Sequence, residues 1–418
     1  MRLDYFHTGK ADTEIFSRER VVVEPLPWPG NPEKLRDDSN LGAYFFEVRD
    51  QRSGKILYSR GYSSIFSEWR TTNEAKQEYR TFSESLRFPA PAAPIKVSVK
   101  KRDAQNRFAE VWFTTVDARD PSIERVTAPA PAPIIEMAHN GEPAHHVDLL
   151  FLGEGYTAAE SRKCASDVRR AADALFGYAP FRERRKEFNL RAMCAASPES
   201  GVSHPSRSEH RRTLFDSTFD VFGTERYALS FNNRALREMA AYAPYEFLAI
   251  VMNDRSYGDG GIFGQFATVS IDDPRSLPAF AHEFGHHFAA LADEYFLGPV
   301  PYAPAAPAGE PWEPNITALF DAKNLKWREL VSVDTPIPTP WPKKSYIQSG
   351  GQDRYLSSGP YAGKVGVFEG ANYSDNGYYR SEQKCLMITL ASNRFCAACR
   401  RAIDRTITLY SRGSNASR

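Results

Sequence analysis

The sequence has little of several features that mark particular classes of protein. It contains no apolar run of roughly 18 residues, so it has no candidate transmembrane helix. It has almost no net charge, since 53 Lys and Arg residues nearly balance 52 Asp and Glu residues. This balance argues against nucleic acid or an acidic membrane surface as the main partner. The remaining composition, 42% hydrophobic and 25% charged over 418 residues, is typical of two or three globular domains.

Cysteine is scarce and odd in number. Of the five cysteines, Cys385, Cys396 and Cys399 lie close together near the C-terminus, while Cys164 and Cys194 are far from them. An odd number leaves at least one thiol free or paired outside the chain. Cys396 and Cys399 have the spacing of a redox or metal site, but there is no second pair of this kind. For a secreted protein, we expect a disulfide from Cys385 to Cys396 or Cys399.

No signal peptide is visible at the start of the sequence. Met1-Arg2-Leu3-Asp4 is polar and leads directly into sequence typical of a folded domain. The protein is then either cytoplasmic or a mature form whose leader has been removed. We expect the second case, with the protein secreted, periplasmic or on the cell surface, and we expect a monomer.

Residues 1–126 have the pattern of an antiparallel β-sandwich. Two apolar segments, 43–48 and 56–62, flank a polar turn, and this arrangement predicts a hairpin. Residues 95–100 alternate apolar and polar side chains, and 108–116 return as a partner strand. We find no catalytic constellation here, so we expect a binding or spacer module.

A Pro- and Ala-rich linker at 127–134 separates this domain from a second one at 135–418. In the second domain, strands are predicted at 147–152, 188–196, 245–252 and 266–270, and helices at 157–175, 225–241 and 395–409. This alternation predicts an α/β-type domain with a mixed sheet, so the whole chain is of the α+β or α/β class. The Gly-rich residues 256–261 are predicted to form a turn into 266–270, an edge strand that faces the cleft.

The second domain contains the motif His282-Glu283-Phe284-Gly285-His286. On a helix, residues four apart lie about 40° apart around the axis, so both imidazoles project from one face and can bind one Zn²⁺. Glu283 then lies beside the metal, where it can take a proton from a water and later give it to a leaving amine. Of the nine histidines in the chain, three fall within residues 282–287, which favours a zinc site over a chance match.

A catalytic zinc usually has three protein ligands and an open position. Asp293 lies seven residues after His286, about 10 Å further along a straight helix. The chain must therefore turn at Ala289–Ala292 if an acid is to reach the metal. We expect Asp293 as the third ligand, with Glu294 as the alternative or as a carboxylate that holds a histidine; both could instead cap the helix or pair with Arg or Lys. His287 points about 100° away from His286 and is expected in the core or behind the ligands.

With the following Leu-Ala-Asp-Glu-Tyr, this motif resembles the IgA-peptidase family of zinc metallopeptidases. Further segments that resemble landmarks of the family are 148–157, 199–201, 257–261 and 384–387, and residues 1–126 resemble its N-terminal domain. The resemblance implies a metzincin-like catalytic domain with an active-site helix, Zn²⁺ as the cofactor, and a protein or peptide as the substrate. Nothing in the sequence identifies immunoglobulin A as that substrate.

Three features of the wider metzincin group bear on the residues of the predicted site. In that group the helix breaks at a Gly three residues after the second His, and the third ligand follows three residues later; those positions are Ala289 and Ala292 here. Met387 stands where a Met-turn would lie under the metal, or it is an ordinary core methionine. Tyr378 or Tyr379 could offer a hydroxyl to the developing oxyanion, as tyrosines do in related enzymes, and we predict Tyr379.

The sequence therefore predicts a zinc endopeptidase in which His282, His286 and Asp293 hold the metal and Glu283 is the general base and acid. One alternative is a cell-surface protein- or glycan-binding protein with a vestigial zinc site. The intact Glu283 argues against it, because a purely structural zinc does not need this residue. A second alternative is a zinc hydrolase that acts on something other than a protein. We further predict that the substrate main chain adds as a strand to residues 266–270.

Overall fold

The structure of the protein, a computed structural model, describes residues 1–103, 105–298 and 309–411. The N-terminal part is built from strands and one short helix. The strands are β1 (Arg2–Lys10), β2 (Thr13–Val23), β3 (Tyr44–Asp50), β4 (Ile56–Tyr62), β5 (Arg80–Arg87), β6 (Ile95–Arg102), β7 (Phe108–Val116) and β8 (Glu124–Arg125), and the helix is α1 (Ile65–Trp69).

These strands form two four-stranded sheets, in the orders β5-β1-β2-β8 and β4-β3-β6-β7. Neighbouring strands are antiparallel, except that β8 runs parallel to β2. Alternate side chains of β6, such as Val97 and Val99, point inward and join Leu3 and Tyr5 of the other sheet in one core. The predicted sandwich and its two hairpins, β3 with β4 and β6 with β7, are confirmed.

The second part alternates strands with helices. Its strands are β9 (Ile134–Ala138), β10 (Val147–Glu154), β11 (Phe188–Met193), β12 (Ser217–Thr218), β13 (Leu229–Ser230), β14 (Phe247–Met252), β15 (Asp259–Ile262), β16 (Phe266–Ser270), β17 (Ile316–Thr317), β18 (Phe368–Ala371) and β19 (Ser374–Arg380). Its helices are α2 (Ser161–Leu175), α3 (Asn233–Ala240), α4 (Ser276–Ala289), α5 (Lys343–Gln348) and α6 (Ala397–Tyr410). Within the described ranges, no helix is long and apolar enough to span a bilayer.

A six-stranded mixed sheet, in the order β15-β16-β14-β10-β11-β9, is the centre of this part. Its four inner strands are parallel, and the outer β15 and β9 are antiparallel to their neighbours. Because side chains alternate along a strand, β10 supplies both faces of the sheet. Leu149 and Phe151 pack on the side of α2, α4 and α6, and Leu150 and Leu152 pack on the side of α3. The predicted mixed sheet with helices is confirmed.

Two predicted elements differ from the structure. Helix α3 is shorter than the predicted 225–241, because Asn232 caps it by accepting a hydrogen bond from the N–H of Ala235 at 3.1 Å, and β13 occupies residues before the cap. The edge-strand prediction for 266–270 is wrong. β16 is paired on both sides, by β14 and β15, so it cannot accept a substrate strand. The Gly-rich segment predicted as a turn contains the outer strand β15 instead.

The predicted disulfide near the C-terminus is also wrong. Cys164 and Cys194 form the disulfide, and Cys385, Cys396 and Cys399 are free thiols. Cys164 lies on α2 and Cys194 follows β11, so the bond joins a helix to the sheet beneath it. Chain folding, rather than closeness in sequence, brings this pair together.

The two parts are in direct contact beside the mixed sheet. The N–H of Ser63 donates to the carbonyl of Phe263 at 2.9 Å, and the Gln265 amide donates to the carbonyl of Ser63 at 3.2 Å. Arg87 donates to the carbonyl of Tyr245 at 2.8 Å. The N-terminal sandwich is therefore packed against the second part. The domain limits at 126 and 134 stay predictions, and β9 begins at Ile134, the last residue of the predicted linker.

Candidate active site

Helix α4 carries the histidine motif and ends where the sequence requires a bend. Phe280, Phe284 and Phe288 recur at helical spacing and are buried in the core under the sheet. The helix ends at Ala289, and Ala290 adopts a left-handed conformation with φ of 56°. A residue in this conformation is a common helix terminator because it redirects the backbone. The predicted bend at 289–292 is present and turns the chain back toward the histidines.

The bend brings three predicted ligands together. The Nε2 atoms of His282 and His286 lie 3.1 Å apart. Asp293 Oδ1 lies 3.0 Å from Nε2 of His282 and 3.4 Å from Nε2 of His286. The ligand atoms of these three residues all lie within 4.8 Å of one another, a distance that one metal ion can bridge.

The outer nitrogen of each imidazole is held by a backbone carbonyl. His282 Nδ1 lies 3.1 Å from the carbonyl oxygen of Leu386, and His286 Nδ1 lies 2.5 Å from that of Leu291. A carbonyl oxygen can only accept a hydrogen bond, so the proton of each neutral ring is on Nδ1. Both Nε2 atoms then present lone pairs toward each other and toward the Asp293 carboxylate.

This arrangement fits a cation and is unfavourable without one. Lone pairs and a carboxylate oxygen at these distances repel each other unless positive charge lies among them. Asp293 Oδ1 is buried and, among the described residues, has no partner in hydrogen-bond geometry. Protein metal sites are usually built in this way, from converging donors among which each imidazole has its outer nitrogen fixed by a hydrogen bond. The residues present therefore fit a divalent metal ion.

Protons are the alternative source of positive charge. Burial alone would lower the pKa of His286, but the Asp293 carboxylate outweighs it and raises this pKa to about 10. Burial would raise the pKa of Asp293, but the two imidazoles hold it well below its usual range. A metal ion must displace the proton of His286, so binding of a metal is coupled to proton release.

Glu283 lies next to the three converging atoms without joining them. Its Oε1 is 3.9 Å from Nε2 of His282. Burial and the neighbouring Asp259 carboxyl group raise the pKa of Glu283 to about 7. Asp259, on β15, hydrogen-bonds to Glu283 and is paired with Arg226 at 3.2 Å. A carboxyl group with a pKa near neutrality can both accept and return a proton.

Strand β15 approaches the helix closely at a glycine. A Cβ atom on Gly261 would lie 2.2 Å from the carbonyl oxygen of Glu283, so a larger residue would push the strand away from the motif. Gly285, on the opposite flank, leaves room for Leu291 and for Met387. Met387 is buried in the core below the helix, which agrees with both of its predicted roles.

A cleft of about 110 Å³ opens onto the motif. Its lining includes the residues His282, Glu283, Tyr257, Tyr295, Leu386 and Leu390. A larger cavity of about 720 Å³ lies between the N-terminal sandwich and α6, and its lining contains none of the three converging residues. Because the motif residues His282 and Glu283 line the smaller cleft, the candidate site is not at the larger of these two cavities.

The third carboxylate is supported by residues far away in sequence. The Tyr373 hydroxyl donates to Oδ2 of Asp293, and the N–H of Asn372 donates to the Asp293 carbonyl at 3.0 Å. The Asn315 side chain bonds both the N–H and the carbonyl of Ala292, at 2.8 and 2.9 Å. These contacts hold the bend in place. Sequence inspection did not identify them, since nothing local marks these residues.

The other candidate residues lie elsewhere. Glu294 points away from the histidines and toward the free thiols, with its Oε1 3.3 Å from the sulfur of Cys396. His287 is a core residue whose Nδ1 lies 3.0 Å from the carbonyl oxygen of Ile262. Tyr379 lies on β19, where its side chain bonds to Glu369, and it is not among the described residues that line the cleft. Its role in catalysis stays a prediction.

Family models match most of the chain. The model described as IgA Peptidase M64 matches residues 135–355 and 348–407, and the model described as Peptidase M64 N-terminus matches residues 1–113. The chain belongs to the IgA peptidase M64 family. Members of this family are metallopeptidases, so the chain is a peptidase with a protein or peptide substrate. No curated protein is significantly similar to the chain.

The segments matched by the family models include the elements that form the candidate site. The M64 match covers α4, the bend after it and α6, the elements around the converging histidines. The N-terminal match covers most of the sandwich. The predicted family is thus confirmed.

Proposed function

We propose that the protein is a zinc-dependent endopeptidase in which His282, His286 and Asp293 bind the zinc and Glu283 moves the protons. The observation that carries the proposal is the convergence of two imidazole nitrogens and one carboxylate oxygen next to a buried, near-neutral carboxyl group. A vestigial site does not account for the near-neutral carboxyl group, and membership of a peptidase family argues against a non-protein substrate.

Zinc suits this set of donors. Two imidazoles and one carboxylate, with a cleft beside them, correspond to a catalytic zinc site that keeps one position open. When bound, the zinc supplies a Lewis acid that makes a water more acidic and polarises a peptide carbonyl. Leu386 and Leu291 orient the imidazoles through their carbonyl oxygens, and Tyr373 orients Asp293.

Glu283 performs the proton transfers. Its carboxylate accepts the proton of the attacking water, and the resulting carboxylic acid returns that proton to the leaving nitrogen of the scissile bond. Burial and the Asp259 carboxyl group raise its pKa toward neutrality, so both transfers are feasible near neutral pH. The position of Glu283 beside the ligands, rather than among them, makes it available for this role.

The cleft walls favour an apolar side chain next to the scissile bond. Leu386, Ile388 and Leu390 line the cleft, and so do Tyr257 and Tyr295. Burying an apolar group against such a wall is favourable by about 25 cal/mol per Å². We propose that the enzyme prefers substrates with an apolar residue beside the cleaved bond.

We also propose a location outside the cytoplasm. The disulfide between Cys164 and Cys194 supports this, since disulfides persist mainly in oxidising compartments. Fractionation of the native host, followed by detection of the protein, tests the location directly. Recovery in the cytoplasm alone would contradict it.

A peptide-library digest with and without a chelator tests the proposed function. We expect cleavage inside peptides, its loss on chelation, and its return when zinc is added back. The Glu283→Gln variant, which keeps the size of the side chain, should bind zinc and cleave with a kcat lower by about 10²- to 10⁴-fold. Cleavage that persists without metal, or turnover of non-peptide substrates alone, would overturn the proposal.

A further inference from the structure

A second group of metal-ligating side chains lies beside the first. Glu294, Cys385, Cys396 and Cys399 are fully buried, and their ligand atoms lie within 4.8 Å of one another. Glu294 Oε1 is 3.3 Å from the sulfurs of both Cys396 and Cys399, and the sulfurs of Cys385 and Cys399 are 3.8 Å apart. We propose that these four residues, the thiol cluster, bind a structural zinc ion.

The composition of the thiol cluster matches a closed zinc site. Structural zinc is bound tetrahedrally by four protein ligands, mostly thiolates and imidazoles with occasional carboxylates. A disulfide does not explain the cluster as well, because joining Cys385 to Cys399 would leave Cys396 and Glu294 outside the bond. The chain does form a disulfide between Cys164 and Cys194, which are a single pair rather than part of a larger group of cysteines.

An unpartnered oxygen in the cluster points independently to a cation. Glu294 Oε1 accepts a hydrogen bond from the Asn315 amide at 3.0 Å, but Oε2 is buried and has no hydrogen-bond partner among the described residues. A buried carboxylate oxygen left without a partner is unfavourable in an apolar interior. A metal ion bound by the Glu294 carboxylate would supply positive charge beside this oxygen.

Hydrogen bonds to sulfur also favour thiolates in this cluster. The N–H groups of Met387 and Cys396 lie 3.4 and 3.1 Å from the sulfur of Cys385. The Ser381 hydroxyl donates to the sulfur of Cys396 at 3.1 Å. Donors directed at sulfur stabilise the deprotonated form that binds metals.

A buried arginine offsets the charge of four anionic ligands. Three thiolates and one carboxylate exceed the charge of a divalent ion by two. Arg380 is fully buried, attracts Glu294, and has two nitrogens, Nε and Nη2, without hydrogen-bond partners among the described residues. Its positive charge lowers the electrostatic penalty of the filled site.

The position of the thiol cluster gives the second ion a role. Glu294 follows Asp293, and Cys385 precedes Leu386, whose carbonyl holds His282. Cys396 is the N-cap of α6 and Cys399 lies in its first turn. Helix α6 packs on α4. An ion here would fix the bend and the Leu386 carbonyl relative to α4. This positioning role rests on the proposed function of the histidines, whereas binding of the ion does not.

Metal content and zinc-edge X-ray absorption of the full chain test the proposal. We expect two zinc ions per chain in the unaltered protein, with sulfur neighbours at about 2.3 Å. A His282→Ala, His286→Ala double variant should keep one zinc, and its spectrum should become dominated by sulfur. This variant has no activity to report, so its result is independent of the proposed peptidase function.

A complementary variant, Cys396→Ser with Cys399→Ser, should lose the sulfur signal and retain at most the zinc at the histidines. If this variant fails to fold, the spectrum of the unaltered protein still decides the question. Absence of sulfur neighbours around zinc would overturn the proposal. So would a Cys385–Cys399 disulfide found by mass spectrometry in protein purified without chelator or oxidant.

Discussion

Two consecutive acidic residues, Asp293 and Glu294, contact different groups of side chains. Asp293 meets two imidazoles at the wall of a cleft, where the His286 side chain is 17% exposed. Glu294 meets three thiols in a place where all four side chains are fully buried. The first group uses nitrogen and oxygen donors and has a carboxyl group, Glu283, beside it, whereas the second consists of potential ligands alone.

The difference shows how one bend can position a ligand of the proposed catalytic site and a ligand of the proposed structural site. A catalytic metal needs an open position and a nearby base, and a structural metal needs four ligands and no water. The side chains of Asp293 and Glu294 point to different neighbours, so a single stretch after α4 reaches both groups. The proposed catalytic site and the proposed structural site are therefore joined by one short stretch of backbone.

The largest expected effect comes from removing one imidazole. His282→Ala should reduce peptide hydrolysis to background, because two remaining donors bind a divalent ion weakly and Glu283 then has no activated water to deprotonate. Metal analysis should show loss of the ion from the histidines only, with the thiol cluster unaffected. His210→Ala, an exposed histidine elsewhere, is the matched control. Stoichiometric zinc with nitrogen neighbours in His282→Ala would show that the ligand is wrong.

A smaller effect separates binding from proton transfer within the first group. Glu283→Gln preserves the shape of the side chain but cannot accept a proton. We expect kcat to fall by about 10²- to 10⁴-fold, the usual contribution of general acid–base catalysis, while zinc content stays normal. Glu209→Gln, at an exposed position, should change neither quantity. Near-normal turnover in Glu283→Gln would eliminate this residue as the base.

A further prediction concerns the support of the third carboxylate. Tyr373→Phe removes the hydroxyl that donates to Asp293. Loss of such a contact typically lowers metal affinity by about 10- to 100-fold, so a chelator titration should show weaker binding at the histidines. Tyr79→Phe, which is 58% exposed, provides the control. An equal weakening at the thiol cluster would mean that Tyr373 acts on the whole bend rather than on Asp293.

Local patterns predicted the first group well. His282 and His286 are one helical turn apart, so their convergence follows from helix geometry alone. The bend after Phe288 followed from the distance that Asp293 has to cover. The destination of Glu294 could not be predicted in this way, because Cys385 and α6 lie about a quarter of the chain later and only the folded structure brings them near.

The failed predictions share a physical cause. Cys164 and Cys194 are separated by α2 and part of the sheet, so their contact depends on how the helix packs. Strand β15 has two glycines, Gly260 and Gly261, which have low strand propensity, and its position is fixed instead by the close approach of the helix to Gly261. In both cases tertiary packing determined an outcome that local sequence did not indicate.

The smallest expected effect is a shift in pH dependence. Burial and the nearby Asp259 carboxyl group raise the pKa of Glu283, and the base is active only when deprotonated, so activity should fall as the pH drops through the pKa that Glu283 has in the zinc-bound enzyme. Asp259→Asn removes a like charge and should lower the pKa of Glu283. The acid limb of the kcat/KM profile should then move to lower pH, on the order of one unit. Because a metal ion lowers the pKa in both proteins, the difference between their profiles is the informative quantity. An unchanged acid limb, with zinc content equal in both proteins, would show that Glu283 does not control it.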